Sequence, residues 1–227
     1  NDNYIVLVTK RGTVKKTSLT AYSRPRVAGV NAVNLRDGDE LIEALLTNGS
    51  EQILIAARDG RCCRFNETDV RPMGRNATGV RGINIENTDE VIGAINYNPA
   101  AEDAQDHTVL VVSEHGFGKR TDFDEYRITR RGGKGVKTIN ITDKTGKLIA
   151  IKNVTENDDL MIINKSGLTI RMAVSDIRVA GRATQGVTLI NIKEGDSIAS
   201  VSTVEKNDEE EELPEVSGEM EADDNTE

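Results

Sequence analysis

Apolar residues fall into two kinds of run along this chain. The first kind is unbroken: YIVLVT (4–9), ILIAA (53–57), VLVVS (109–113) and LMIIN (160–164). A short continuous apolar run bounded by turn residues predicts a strand covered on both faces. The second kind alternates: VNAVNL (30–35), VRGINI (80–85), VKTINI (136–141) and VTLINI (187–192). Between the two lies a Gly turn, a mixed strand such as GTVKKTS (12–18) and a basic, Gly-containing loop. After the second kind comes an Asp/Gly/Asn turn and a last strand: ELIEAL, EVIGAI, KLIAI or SIASV. DELIEALL has a helical alternative, but its counterparts are short and rich in Ile, Val and Ser, so strand is predicted there too.

These runs share one period. An early glycine recurs as Gly12, Gly60, Gly116 and Gly167, and a later one as Gly29, Gly79, Gly135 and Gly186. The Asn of an Asn-Leu or Asn-Ile pair recurs as Asn34, Asn84, Asn140 and Asn191. Later glycines are spaced by 50, 56 and 51, the extra residues lying around NPAAEDAQD between the second and third units. Self-similarity at about fifty residues, with four strands per unit, predicts an all-β, propeller-like array of four-stranded blades. The expected divisions are 1–48, 49–103, 104–154 and 155–204, followed by a disordered acidic tail over 205–227.

Charge changes this picture. The 227 residues carry a formal net charge of -9, but 12 of the 38 acidic residues and only one of the 29 cations lie from Glu205 onward. The remaining 26 acidic and 28 basic residues give the repeats a net of +2. A tail so charged and so poor in apolar residues is expected to stay unfolded and to solubilise, or to compete for a basic surface. Within the repeats the cations keep register. Four places after the early glycine stand Lys16, Arg64, Arg120 and Arg171, with Lys15 and Lys119 beside the first and third. Eleven after it stand Arg71, Arg127 and Arg178, with Arg24 one place further on in the first unit. Fifteen after it stand Arg75, Arg131 and Arg182, with Arg26 one place earlier in the first. The acids Asp69, Glu125 and Asp176 precede the second of these rows, which suggests structural pairing for it. The third row has no such neighbour and is expected to face a ligand. A ring of blades would set the rows round a rim, a footprint suited to a polyanion.

Other chemistry is sparse. His107 and His115 have no nucleophile or metal-ligand pattern around them. RRGGKG lacks the spacing and setting of a phosphate-binding P-loop. Cys62 and Cys63 are adjacent and poorly placed for a mutual disulfide, which fits burial in a reducing cytoplasm. No apolar run approaches the roughly 20 residues of a membrane helix, so no membrane partner is expected. The chain opens Asn1-Asp2 rather than with Met, as a piece of a longer protein would.

The stretch TRRGGKG (129–135) differs only in its first residue from the box Q-R-R-G-G-K-G of the C-terminal domain of the DNA gyrase A subunit. RGTVKKT (11–17) and ATGVRGI (77–83) are similar to blade motifs of that family, and the resemblance covers essentially all of 1–204. It implies a β-pinwheel, in which neighbouring blades exchange a strand, that binds and bends duplex DNA round its rim. It also implies work within an A2B2 holoenzyme, built from gyrase A and B subunits, that supercoils DNA with ATP and Mg2+. The catalytic residues and these cofactors belong to other parts of the enzyme, so the fragment itself has neither catalytic residue nor cofactor. A bacterial, cytoplasmic, nucleoid-associated location follows from the same resemblance.

Family members usually have six blades with the box in the first, whereas four units are visible here with the box in the third. The first unit resembles the family's third blade, so the resemblance implies that two N-terminal blades are missing and that this is an additional box in the fifth. The DNA-binding residues this suggests are Arg130, Arg131, Lys134 and the backbone of Gly132, Gly133 and Gly135, with Arg26, Arg75, Arg182, Lys15, Lys16, Arg64, Lys119, Arg120 and Arg171 along the rim. The alternatives are the equivalent domain of topoisomerase IV and a propeller-like protein-interaction scaffold.

Overall fold

A computed structural model describes residues 3–205, without the side chain of Glu205; the predicted acidic tail lies outside the described residues apart from that backbone position. Among the described residues fifteen strands form four antiparallel sheets. The unbroken apolar runs become β1 (Tyr4–Thr9), β4 (Gln52–Ala57), β8 (Thr108–Ser113) and β12 (Asp158–Asn164). Each lies inside its sheet, between the mixed strand that follows it and the last strand of its unit. The mixed strands are β2 (Thr13–Ser18), β5 (Arg61–Asn66), β9 (Phe117–Asp122) and β13 (Thr169–Ala173). The last strands are β3 (Leu41–Thr47), β7 (Val91–Tyr97), β11 (Leu148–Val154) and β15 (Ile198–Glu205); DELIEALL is therefore extended.

The alternating runs behave differently from expectation. Only two residues of each pair as strand: β6 (Val80–Arg81), β10 (Val136–Lys137) and β14 (Val187–Thr188). None joins its own unit. β6 pairs with β2, β10 with β5 and β14 with β9, so each closes the outer edge of the preceding blade. The run 30–35 has no preceding blade among the described residues and forms no strand. For the converse reason the fourth sheet has three strands, β13–β12–β15. The blades thus exchange strands as the resemblance implied.

Apolar packing lies between blades. Alternate residues of β4 divide between two cores: Ile53, Ile55 and Ala57 join Val6 and Val8, whereas Leu54 and Ala56 join Val109 and Val111. Leu110 and Val112 of β8 turn to a third core with Leu160 and Ile162. A period of two puts successive side chains on opposite faces, and both faces here are covered by a blade, so the run reads as continuous. The later glycine marks the crossing point. A Cβ on Gly135 would stand 2.5 Å from the Cys62 carbonyl oxygen, and Gly135 has φ +72°. Gly79 and Gly186 make the same close approach, but Gly29, with no blade before it, meets nothing within 4 Å.

Candidate nucleic-acid interface

After β5, β9 and β13 the chain makes a short 3-10 turn (Glu67–Asp69, Phe123–Glu125, Val174–Asp176) and then runs as a loop beside the mixed strand of the preceding blade. Three bonds recur along this path. The N–H groups of Met73, Thr129 and Ala180 donate to the carbonyls of Lys16, Arg64 and Arg120 at 2.8, 2.8 and 2.9 Å. The N–H groups of Asn34, Asn84 and Asn140 donate to the Ala77, Gly133 and Thr184 carbonyls at 3.3, 2.9 and 3.1 Å. The guanidinium groups of Arg75, Arg131 and Arg182 donate to the carbonyls of Asn31, Arg81 and Lys137 at 3.4, 3.2 and 2.9 Å. Each of those acceptors is two residues after a later glycine. The row expected to face a ligand therefore ties one unit's loop to the segment that the preceding unit sends outward. Arg131 also donates to the Asp69 carbonyl at 3.0 Å. All three arginines are half-buried.

The row nearest the early glycine departs further from expectation. Lys15, Lys16, Arg64, Lys119 and Arg120 were expected on the rim; all five are buried. β2, β5 and β9 are each covered by the next unit's turn and loop, so these side chains meet protein. Lys16 pairs with Glu67 of the next unit at 3.3 Å, both buried. Glu67 also accepts hydrogen bonds from Thr47 Oγ1 at 2.8 Å and the Glu51 N–H at 2.7 Å. Arg64 donates to the carbonyls of Phe123 and Tyr126 and to Gln52, with the stacked rings of Tyr97 and Phe123 within 6 Å of its guanidinium carbon. Arg120 donates to the Ile177 carbonyl at 2.8 Å and pairs with Glu156 at 3.2 Å. These cations satisfy the open carbonyls of the next blade's 3-10 turn. Arg171, in the last unit, is exposed and pairs with Asp159 at 2.7 Å.

Exposed charge sits elsewhere on the same loops. Arg71, Arg127 and Arg178, the row whose acidic neighbours suggested pairing, are exposed and form no ion pair among the described residues. Their register was legible in the sequence; the preceding carboxylates made it misleading. Arg24 and Arg26 are exposed on the first loop, and Arg81 and Lys137 at the ends of β6 and β10.

In the third unit Arg130 and Lys134 are exposed as well, with no ion pair among the described residues. The glycines between them were expected to offer free N–H donors, and here the geometry differs. The Gly132 N–H donates to the Gly82 carbonyl at 2.6 Å, and that of Gly133 faces the Cys63 sulfur. They stiffen the loop and leave its two outer cations to meet solvent.

Titration follows burial. Lys119 is pushed down to about 8, by burial first and then by the Arg182 charge. Burial pushes the Cys62 and Cys63 thiols up, and both cysteines are free. No cluster of three or more His, Cys, Asp or Glu side chains suited to a metal occurs among the described residues.

Four strand-exchanging blades with cation-bearing loops along their outer edges define a propeller-like protein of the β-pinwheel class. Within that class the sequence is specific. The family model described as "DNA gyrase C-terminal domain, beta-propeller" matches residues 3–48, 51–98, 107–155 and 158–205, and the chain belongs to that family. The DNA gyrase A subunit of Staphylococcus aureus is 44% identical over 210 residues, and that of Staphylococcus epidermidis 42% over 208. Each alignment covers 92% of this chain and 23% of the relative, so the chain spans about a quarter of their length. Among solved structures, a DNA gyrase A C-terminal domain superposes with a TM-score of 0.76 at 25% identity, over 89% of this chain and 66% of that one. A topoisomerase IV C-terminal domain superposes with a TM-score of 0.82 at 23% identity, over 90% and 62%, which shows the shared fold.

Proposed function

We propose that this chain binds duplex DNA without sequence preference along the outer edges of its blades and bends it, as the wrapping domain of a gyrase A subunit. The observation that carries the reading is the placement of unpaired cations. Arg71, Arg127 and Arg178 recur at one offset on successive loops, and Arg130 and Lys134 add to the third. Buried cations hold those loops from beneath, so the backbone positions that carry the exposed ones are fixed. Fixed, repeated positive charge neutralises phosphates and sets a path for the backbone. Base readout is weak, because the described residues contain no α-helix to enter a groove and Phe and Tyr are few.

Smooth bending of 20–30 base pairs costs on the order of 1–6 kcal/mol, so contacts from several blades must act together. In the whole enzyme the bent segment is presented to the cleavage core, and ATP-driven strand passage yields negative supercoils. The gyrase B subunit, the rest of the A subunit, ATP and Mg2+ enter there, in the bacterial cytoplasm beside the nucleoid.

The test compares duplex binding over a range of salt concentrations, and the topological footprint on relaxed circles, for the full-length wild-type protein and for R130A/K134A. Each lost phosphate contact flattens the log-log salt slope by about 1, so the pair should flatten it by about 2 and reduce wrapping. Unchanged slope and footprint would sink the assignment.

A further inference from the structure

The position three residues after the early glycine is occupied in turn by Lys15, Cys63, Lys119 and Ile170. In the first three units it lies under the next unit's loop. Lys15 Nζ donates to the Ala32 and Arg75 carbonyls. Lys119 Nζ donates to the Gly181 carbonyl at 2.6 Å and to Thr184 Oγ1 at 3.2 Å. In both cases a buried ammonium lies close enough to a loop arginine to feel its charge: Arg75 over Lys15, Arg182 over Lys119.

Under the third unit's loop stands a thiol. Cys63 Sγ lies 3.9 Å from the Arg130 carbonyl, which holds the same place in its loop as the Gly181 carbonyl does in the next. It lies 3.7 Å from Thr129 Oγ1. The loop above it differs in charge at two places. Arg130 stands where the other loops have Gly74 and Gly181, and Lys134 where they have Thr78 and Gln185. One buried cation has been exchanged for two exposed ones. The loop's anchorage changes with it: Gly132 donates to the Gly82 carbonyl at 2.6 Å, and Gly133 bridges to Ile83.

We propose that this position sets how many cations the overlying loop can present, and that Cys63 is the positioning residue that allows Arg130 and Lys134. A buried ammonium is stabilised only by the carbonyls it collects, and each further cation nearby opposes it. A loop carrying Arg127, Arg130, Arg131 and Lys134 over a lysine would turn its carbonyls to the ammonium and displace its own side chains. A neutral thiol of similar depth fills the space and makes no such demand. The inference rests on the DNA-binding reading for its consequence, but not for its structural content.

The experiment places C63K and C63M in the full-length protein. Methionine, unbranched and one atom shorter than lysine, approaches its bulk without charge, so it separates charge from bulk. Amide exchange of the 126–135 peptide, measured without DNA, should rise at least severalfold in C63K and stay near wild type in C63M. The salt slope of duplex binding should flatten by about 1 in C63K, as for the loss of one phosphate contact, and hold in C63M. Wild-type exchange in C63K, or equal rises in both variants, overturns the inference whatever the DNA does. If exchange separates the variants while R130A/K134A leaves the salt slope untouched, the loop account stands and the DNA-binding assignment fails.

Discussion

At the scale of single residues, chemically alike cations do opposite jobs according to depth. Lys16 is buried against the buried carboxylate of Glu67, whereas Arg130 is exposed above an anchored loop. Removing one member of a buried pair strands the other, at about 3–5 kcal/mol. Lys16→Met should therefore lower the urea midpoint sharply while the salt slope of DNA binding, measured where the variant is still folded, stays at wild type. R130A/K134A should leave the stability within about 0.5 kcal/mol of wild type. A glycine pair makes the same distinction within the box. Gly135→Ala forces a Cβ to 2.5 Å from a backbone oxygen at positive φ, whereas a Cβ on Gly133 meets nothing nearer than 3.5 Å. The left-handed conformation alone costs roughly 1–2 kcal/mol. Thermal unfolding should show a marked loss for Gly135→Ala and little for Gly133→Ala.

At the scale of elements, each junction between blades combines an apolar core, an exchanged strand and a buried cation reaching the next turn. At the hairpin end, ion pairs link Glu40, Lys10, Glu90, Arg58 and Glu114 across three blades, at 3.2, 3.5, 3.2 and 2.9 Å. Lys10, Glu90 and Glu114 are half-buried and Glu40 and Arg58 exposed, so solvent screens the pairs and Arg58→Ala should cost no more than about 1 kcal/mol. Lys119, between the third and fourth blades, behaves differently. Its folded pKa of about 8 lies below the ordinary lysine value of 10.5, so between those values the unfolded chain binds more protons. Stability from this group therefore rises with pH over that window, and is lowest below about 8, where the buried ammonium must be charged. Denaturation at about pH 7.5 and about pH 10, either side of the folded pKa, should show wild type gaining on Lys119→Met; a constant difference would disprove the titration. Element boundaries were largely legible, because unbroken apolar runs and Gly turns mark the first, second and last strands of every unit. The alternating runs were over-read. Their periodicity is real, but only two residues of each find a partner, since the receiving strand is covered further along by the incoming loop.

At the scale of the whole molecule, the proposed wrapping would depend on spacing as much as on charge. The exposed Arg71, Arg127 and Arg178 each stand on a separate blade, so a duplex that met all three under the proposed function would follow the edge from blade to blade. R71A/R127A/R178A should flatten the salt slope by about 3 and reduce the topological footprint more than the same number of exposed cations removed from the hairpin end. Equal effects from both sets would point to diffuse attraction by net charge rather than to a path along the outer edge.

The sequence by itself determined the repeat, the all-β class, the positions of the buried central strands and the singular third loop, because each is a property of period, composition or local spacing. Tertiary structure alone decided which cations are free. Arg64 and Arg71 are seven residues apart in one unit, yet one lies beneath the next blade's turn and the other is exposed on the loop along the preceding blade's edge. Depth is set by the strand and loop that a neighbouring unit lays over each site, and no pattern within a unit records what its neighbour covers.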